Sequence, residues 1–442
     1  MDRRSFLKSA AVTGGALALG DSFWRRLYAS PAHSGESPYG PLSTTPDLNG
    51  LLLPEGATAR VIARSGLPLG TTGHIWPAFP DGAYCFPKGD AGGSDGWILV
   101  VNSENPPAAD FNDLEEVQDL FGGASAVHFD AEGNIESAGW ILQGTRTNCA
   151  GGPTPWGTWL SCEEYDWSST PFPFGSEASE KAGRVWECDP TGATPSTVWP
   201  LLGSFKHEGA AIDPATGIVY LTEDQGDGLL YRFMPESYSA TDARIDFGLG
   251  TLQAAQRHSP DAEVSDVTWH DVGDPEALDT PTRHQVPDAT VFDGGEGCWF
   301  DSGKVYITTK NDNRVWCLDT TTESDTIKVL YDDDDQDGDP VLTGVDNLIV
   351  SPGTGNIYVA EDGGNMEAVV ITPTNEVAPV VRATGPQHGV ASSSPIPTAS
   401  EVTGLAISPD GRRLYFSSQR GFALGITYEV TLPTEGEFAT TF

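Results

Sequence analysis

One outline recurs along this chain and constrains its fold more than any other feature. It consists of an acidic residue, a short apolar run, a turn built from Asp, Ser, Pro or Gly, and a second apolar run carrying a tyrosine. HEGAAIDPATGIVYLTED begins at His207, GEGCWFDSGKVYITTKND at Gly295, VDNLIVSPGTGNIYVAEDG at Val345 and EVTGLAISPDGRRLYFSSQ at Glu401. Each reads as a β-hairpin, with Tyr220, Tyr306, Tyr358 and Tyr415 in the second strand. GWILVVNSEN from Gly96 and GASAVHFDAEGNIESAGWIL from Gly123 read as degenerate earlier copies. Hairpins recurring at about fifty residues describe propeller blades, each of which needs its neighbours to bury both faces. The expected fold is all-β: a β-propeller of five to seven blades, six favoured, with inserted loops and few short helices. The 51 glycines and 33 prolines of the 442 residues agree with many short strands between turns.

The register of these copies has a chemical consequence. The first strand of a blade lines the central channel, so the acid that opens each copy points toward the axis. Glu208, Glu296 and Asp346 share that register, and Glu401 lies two residues upstream, on the same face because strand side chains alternate. Carboxylates gathered in this way repel one another unless cations sit among them, so the spacing by itself points to bound metal. The competing interpretation is a set of solvated edge acids that discourage strand aggregation.

The stretch from Asn148 to Tyr165, NCAGGPTPWGTWLSCEEY, carries two thiols, adjacent carboxylates, three glycines and two prolines. Gly151, Gly152, Pro153 and Pro155 predict a shaped loop. Thr158, Trp159, Leu160 and Cys162 predict a short strand after it, which sends Glu163 and Glu164 to opposite faces. On its own the stretch fits either a structural turn with a buried cysteine or a site.

This stretch resembles the signature of the PhoX-type alkaline phosphatases. The resemblance extends to His207-Glu208-Gly209-Ala210, Leu221-Thr222-Glu223-Asp224 with Leu230-Tyr231-Arg232-Phe233, Glu296-Gly297, Asp346-Asn347-Leu348, and Glu401-Val402-Thr403-Gly404 leading into Ser408-Pro409-Asp410-Gly411. It implies an exported phosphatase that hydrolyses phosphate esters, monoesters favoured, at an axial cluster of Fe(3+) and Ca(2+). By position, the resemblance makes Cys149 the thiolate on iron and Glu164 or Glu163, Glu208, Glu296 and Glu401 carboxylate ligands. Glu223, Asp224, Asp346, Asn347 and Glu361 are then candidates for the calcium positions. Hard oxygen donors suit calcium and ferric iron, and a single thiolate favours a transition metal. Arg184 and Lys310 are candidate cations for the phosphate, and His207 a supporting acid or a core histidine. Where the family has Asn-His-Glu early in the chain, this sequence has Asn102-Ser103-Glu104. A calcium-dependent lactonase or organophosphate-hydrolysing propeller, and a non-catalytic calcium-stabilised binding propeller, are the alternatives.

The N-terminus, DRRSFLK followed by SAAVTGGALALG, reads as a twin-arginine export signal, its apolar run being far short of the roughly twenty residues of a membrane span. No later stretch is long and apolar enough to span. The expectation is a leader over residues 1–32, ending at Ala29 or Ala32, then a single propeller domain over 33–442 with a periplasmic, cell-surface or extracellular destination. A formal charge of -39 makes nucleic acid a poor partner and fits either a high-salt habitat or several bound divalent cations. Partners are therefore the export machinery and small phosphate esters, and a closed propeller is expected to be monomeric. Of the six cysteines, Cys162, Cys188, Cys298 and Cys317 fall in strand-like runs as small buried hydrophobes. The acidic insertion from Glu236 to Asp288 predicts a surface excursion with a short helix at TLQAAQRH. Asp333, Asp335 and Asp337 have the alternation of a calcium loop without its distal glutamate. The tail after Gly421 is expected to supply a closing strand.

Overall fold

The computed structural model describes residues 31–105, 122–164, 183–238, 244–351, 353–363, 365–388, 400–420 and 425–433. Among them there are strands and a few short 3-10 turns, such as Pro200–Leu202 and Thr282–Gln285, and no α-helix. The leader lies outside the described residues.

The strands make five sheets arranged as in a propeller, antiparallel except where His33–Ser34 pairs with Glu376–Ala383. Pro80–Pro87, Trp97–Ser103, Gly122–Phe129 and Ile135–Thr145 form one, and Asn148–Pro153, Trp159–Glu163, Val185–Cys188 and Thr197–Val198 a second. Residues 207–332 make a nine-stranded sheet whose two halves meet only where Ser265 and Asp266 pair with Ile327 and Thr326. Val345–Val350 opens the next sheet, which also holds His33–Ser34 and Leu51–Leu52. The last consists of Val402–Ile407, Arg413–Ser418, Ile426–Thr431 and Thr58–Arg64, so the two ends of the chain close it together. Tyr220, Tyr306, Tyr358 and Tyr415 all lie in second strands and are buried.

Six inner strands, Pro80–Pro87, Asn148–Pro153, His207–Ile212, Gly295–Asp301, Val345–Val350 and Val402–Ile407, contact one another in a closed circle. Their backbones approach too closely for side chains at some positions. A Cβ on Gly209 would stand 2.4 Å from the Cys298 nitrogen, and one on Gly297 2.6 Å from that of Leu348, so both must be glycine. Each inner strand also breaks register near its start, between Pro80 and Ala83, Asn148 and Gly151, His207 and Ala210, Gly295 and Cys298, Val345 and Leu348, and Thr403 and Ala406. A bulge re-aims one side chain and frees backbone groups from the ladder. Polar side chains of neighbouring strands take up carbonyls there: Asn102 Nδ2 donates to Cys149 and Ala150 at 3.0 and 2.7 Å, Thr308 Oγ1 to Asp346 at 2.6 Å, Thr403 Oγ1 to Pro80 at 2.8 Å, and Thr222 Oγ1 to Glu296. These bonds run from blade to blade and stiffen the circle.

Three local expectations are corrected. NCAGG is an inner strand with a bulge, its glycines serving close approach, in place of the shaped loop that its glycines and prolines predict. TLQAAQRH is in strand Gly250–Arg257, not in a helix, because pairing to Leu230–Pro235 on one side and Ser265–Asp271 on the other outweighs its local propensity. The insertion therefore widens a sheet as well as looping over the surface. GWILVVNSEN and GASAVHFD are successive strands of one sheet, whose inner strand, PDGAYCFP, carries too weak a copy of the outline to stand out.

Candidate metal centre

The bulges give five inner strands a common aim. Asp81, Cys149, Glu208, Glu296 and Asp346 each follow the first residue of their strand, and all five line one recess on the axis. The sixth strand has Thr403 at this place, and Glu401, two residues earlier, enters the recess instead. A second tier comes from the residues just after the second strands. Strands Trp97–Ser103, Trp159–Glu163, Val219–Glu223, Lys304–Thr309 and Ile357–Glu361 end one residue before Glu104, Glu164, Asp224, Lys310 and Asp362. Four of these line the recess, and Asp224 joins it through Lys310.

Alternation along those second strands explains where three other acids go. Glu163 accepts the backbone N–H groups of Arg146 and Arg184 at 3.1 and 3.0 Å. Glu223 accepts those of Leu229 and the Tyr231 hydroxyl at 3.2 and 2.8 Å and pairs with Arg283 at 3.2 Å. Glu361 accepts the N–H groups of Thr343 and Glu367 at 2.9 and 3.0 Å. All three point away from the recess and staple the loops at its rim. Burial raises Glu163 and Glu223 to about 7 and Glu361 to about 8.

Arg184 and His207 also lie outside the recess. The Arg184 guanidinium donates to the Pro200 and Gly203 carbonyls at 3.1 and 3.3 Å and faces Glu276 at 3.5 Å. The His207 ring stacks on Phe205 with centroids 3.6 Å apart, and burial holds its pKa at about 3, so it is neutral and belongs to the core. Its carbonyl, however, accepts the Cys149 thiol at 2.9 Å. Asn347 Nδ2 donates to Asp346 at 3.0 Å while its oxygen accepts the Gly404 N–H at 3.0 Å, bridging two inner strands.

The recess is strongly acidic. Asp81, Glu104, Glu164, Glu208, Glu296, Asp346, Asp362 and Glu401 line it together with two cations, Lys310 and Arg420, and Lys206 reaches Glu164 from the side at 3.6 Å. Lys310 Nζ contacts Glu296 at 2.6 Å and Asp224 at 2.8 Å, and Arg420 contacts Glu401 at 2.8 Å and Glu104 at 3.4 Å. Burial first, and the neighbouring acids second, push Asp81, Glu164, Glu208 and Asp346 far above the usual carboxylate range. Burial also raises Glu401, against the opposing pull of Arg420. Glu296 is raised to about 8 by burial, with Lys310 opposing. The Cys149 thiol is pushed up by burial and then by Glu208 and Glu164. Such a set is stable only if protons or multivalent cations neutralise it.

The donors fit cations. Oxygens of Glu164, Glu208 and Asp224 lie within 4.8 Å of one another, and Asp81 Oδ1 is buried with no hydrogen-bond partner while its other oxygen accepts Gln419 at 2.9 Å. Asp81, Glu104, Asp362 and Arg420 are site-lining residues that the sequence reading does not single out. For Asp81 and Asp362 the available signal is their alignment with Glu208 and Asp224 when PDGAY and AEDGG are set against HEGAA and TEDQG.

Residues 119–421 match the family described as Alkaline phosphatase PhoX, and residues 1–20 match the twin-arginine translocation pathway signal sequence. The chain belongs to the PhoX family. It is an alkaline phosphatase by family and is exported by the twin-arginine route; no helix among the described residues is long and apolar enough to cross a membrane. The structure of Pseudomonas fluorescens PhoX in complex with vanadate, a transition state analogue, superposes with a TM-score of 0.68 at 17% identity, covering 91% of this chain and 98% of that one. At that identity the likeness concerns the fold. A Xanthomonas campestris gluconolactonase covers 90% of this chain and 99% of its own at 10% identity, and its TM-score of 0.46 carries no argument. No curated protein sequence matches this PhoX-family chain.

Proposed function

We propose that this protein releases inorganic phosphate from small phosphate monoesters at a mixed iron and calcium cluster held in the axial recess. The observation that carries the proposal is the convergence of Asp81, Cys149, Glu208, Glu296 and Asp346 from five equivalent bulges, joined by Glu401. In this reading the nine-stranded sheet counts as two blades, 207–271 and 295–332, which makes a six-bladed monomer of residues 33–442.

Cys149 would hold iron, because a thiolate is a poor calcium ligand and a good one for a transition metal. Its neighbours Glu208 and Glu164 would share that ion, with Glu296, Glu401, Asp346, Asp224 and the newly found Asp81, Glu104 and Asp362 completing the oxygen sites. Bound there, the cations supply Lewis acidity toward phosphoryl oxygens and neutralise charge in the in-line transition state. The chain's own part is to fix the donors and to aim Lys310 and Arg420. Both cations are engaged by carboxylates, Lys310 by Glu296 and Asp224 and Arg420 by Glu401 and Glu104; with those carboxylates holding metal, Lys310 Nζ and the Arg420 guanidinium would be available to donate to non-bridging phosphate oxygens. The -39 charge disfavours polyanionic substrates such as nucleic acid and favours small phosphate esters, among which monoesters are what the family resemblance implies. His207, neutral in the core, holds the cysteine through its carbonyl.

Cys149→Ala tests this directly. Iron content and p-nitrophenyl phosphate hydrolysis should both collapse while circular dichroism and the thermal transition stay near wild type. Full iron and turnover in that variant would remove the thiolate from the centre.

A further inference from the structure

The strand that opens the described chain decides where the export leader is cut. Two bonds have the small residue that a leader peptidase requires before the cut: Ala29–Ser30 and Ala32–His33. By sequence the second is the better formed, since Ser30, Pro31 and Ala32 present small residues at both critical places. The structure separates the two.

Ala32 is part of the folded core. It is 1% exposed and packs in the cluster that contains Tyr331, Leu342 and Val350. Its N–H donates to the Leu330 carbonyl at 2.7 Å, and its carbonyl accepts Gln336 Nε2 at 3.0 Å. The next residues run as a parallel strand, with His33 opposite Glu376 and Ser34 opposite Val377; the His33 N–H donates to Asn375 at 2.9 Å and that of Gly35 to Val377 at 3.0 Å. The fit is built for this strand, since a Cβ on Gly35 would lie 2.6 Å from that of Glu376. Ala32 thus sits between the outer strands Thr326–Asp332 and Glu376–Ala383 and ties two sheets together.

A peptidase binds the residues around the scissile bond as an extended strand, using the same backbone groups and lodging the small side chain in a pocket. At Ala32–His33 those groups and that side chain are already committed. The twin-arginine route carries its cargo folded, so the commitment is made before the leader meets the peptidase. The Ala29–Ser30 bond lies upstream of these anchored residues in the sequence.

We infer that the exported chain is cut at Ala29–Ser30, so that Ala32 to Gly35 stay in the mature protein as the strand that seals the gap between two sheets. Water adds across that bond, leaving Ala29 a carboxylate and Ser30 the new α-amine.

The test is intact-mass measurement and N-terminal sequencing of the protein recovered after export from a host with the twin-arginine machinery. A mature chain beginning at Ser30 is expected; one beginning at His33, or at any residue before Ser30, overturns the assignment. Ala29→Gln gives an independent arm that leaves the anchor untouched. It should accumulate uncut precursor, with at least a tenfold loss of the processed form, whereas normal yield of a shorter chain starting at His33 would overturn the inference.

Discussion

Lys310 Nζ lies 2.6 Å from Glu296 Oε1, although the two residues come from adjacent strands of one hairpin and face the same axial recess. Lys310 occupies the place where four equivalent strands put Glu104, Glu164, Asp224 and Asp362. One cation thus stands in a tier of acids; burial works against its charge, but Glu296, Asp224 and Glu208 together hold its pKa above the usual lysine value. Replacing it by methionine keeps the stem and removes the charge. Lys310→Met should lower kcat/KM for p-nitrophenyl phosphate by about 10²–10³-fold and weaken inhibition by inorganic phosphate, while metal content stays within a factor of two. Unchanged kinetics would place the lysine in a purely structural role.

Glu163 and Glu164 are neighbours with opposite duties. Glu164 faces Lys206 at 3.6 Å and the recess, whereas Glu163 binds two backbone N–H groups of rim loops. Glu164→Gln should reduce bound metal and turnover. Glu163→Gln should keep the metal and lower stability by about 1–3 kcal/mol, read from urea midpoints, because a buried acceptor is lost. Equal metal loss in both would undo the division.

How much of this was legible in the chain follows from what a local pattern can carry. The hairpin outline gave the propeller, and the acids opening three copies, Glu208, Glu296 and Asp346, gave the inner tier, because a period of two converts spacing into direction. The same rule foresaw that Glu163 and Glu164 would diverge. It could not choose between them, nor between Glu223 and Asp224, since the choice depends on where each strand stops relative to the axis. Asp81 escaped notice because its hairpin lacks the marker tyrosine, having Val100 where others have tyrosine. Arg184 looked like a phosphate cation from its strand context, but the carbonyls of Pro200 and Gly203 that claim it are distant in no readable way.

Stripping the metals should reverse the pH dependence of stability. Burial raises Glu163 and Glu223 to about 7 and Glu296 and Glu361 to about 8. A carboxyl raised on folding adds stability that is fully present below its unfolded pKa of about 4.3 and lost as pH rises through the folded value. Chelator-treated protein is therefore expected to have a higher urea midpoint near pH 5.5 than near pH 8.5, with the decline spread between roughly 4.5 and 8. Loaded protein should lose midpoint toward acid instead, since cations need the ionised ligands. A midpoint of the stripped protein that rises toward alkaline pH would show that the recess is not a store of protonated carboxyls.

The most direct measurement is elemental analysis for iron and calcium, paired with p-nitrophenyl phosphate hydrolysis, on protein folded and exported by a twin-arginine host, before and after chelation. Iron and calcium bound together, with turnover that falls on chelation and returns when both metals are restored, is the predicted result. Turnover that persists in metal-free protein, or calcium bound without iron and without hydrolysis, would contradict the account and leave Cys149 an ordinary buried thiol.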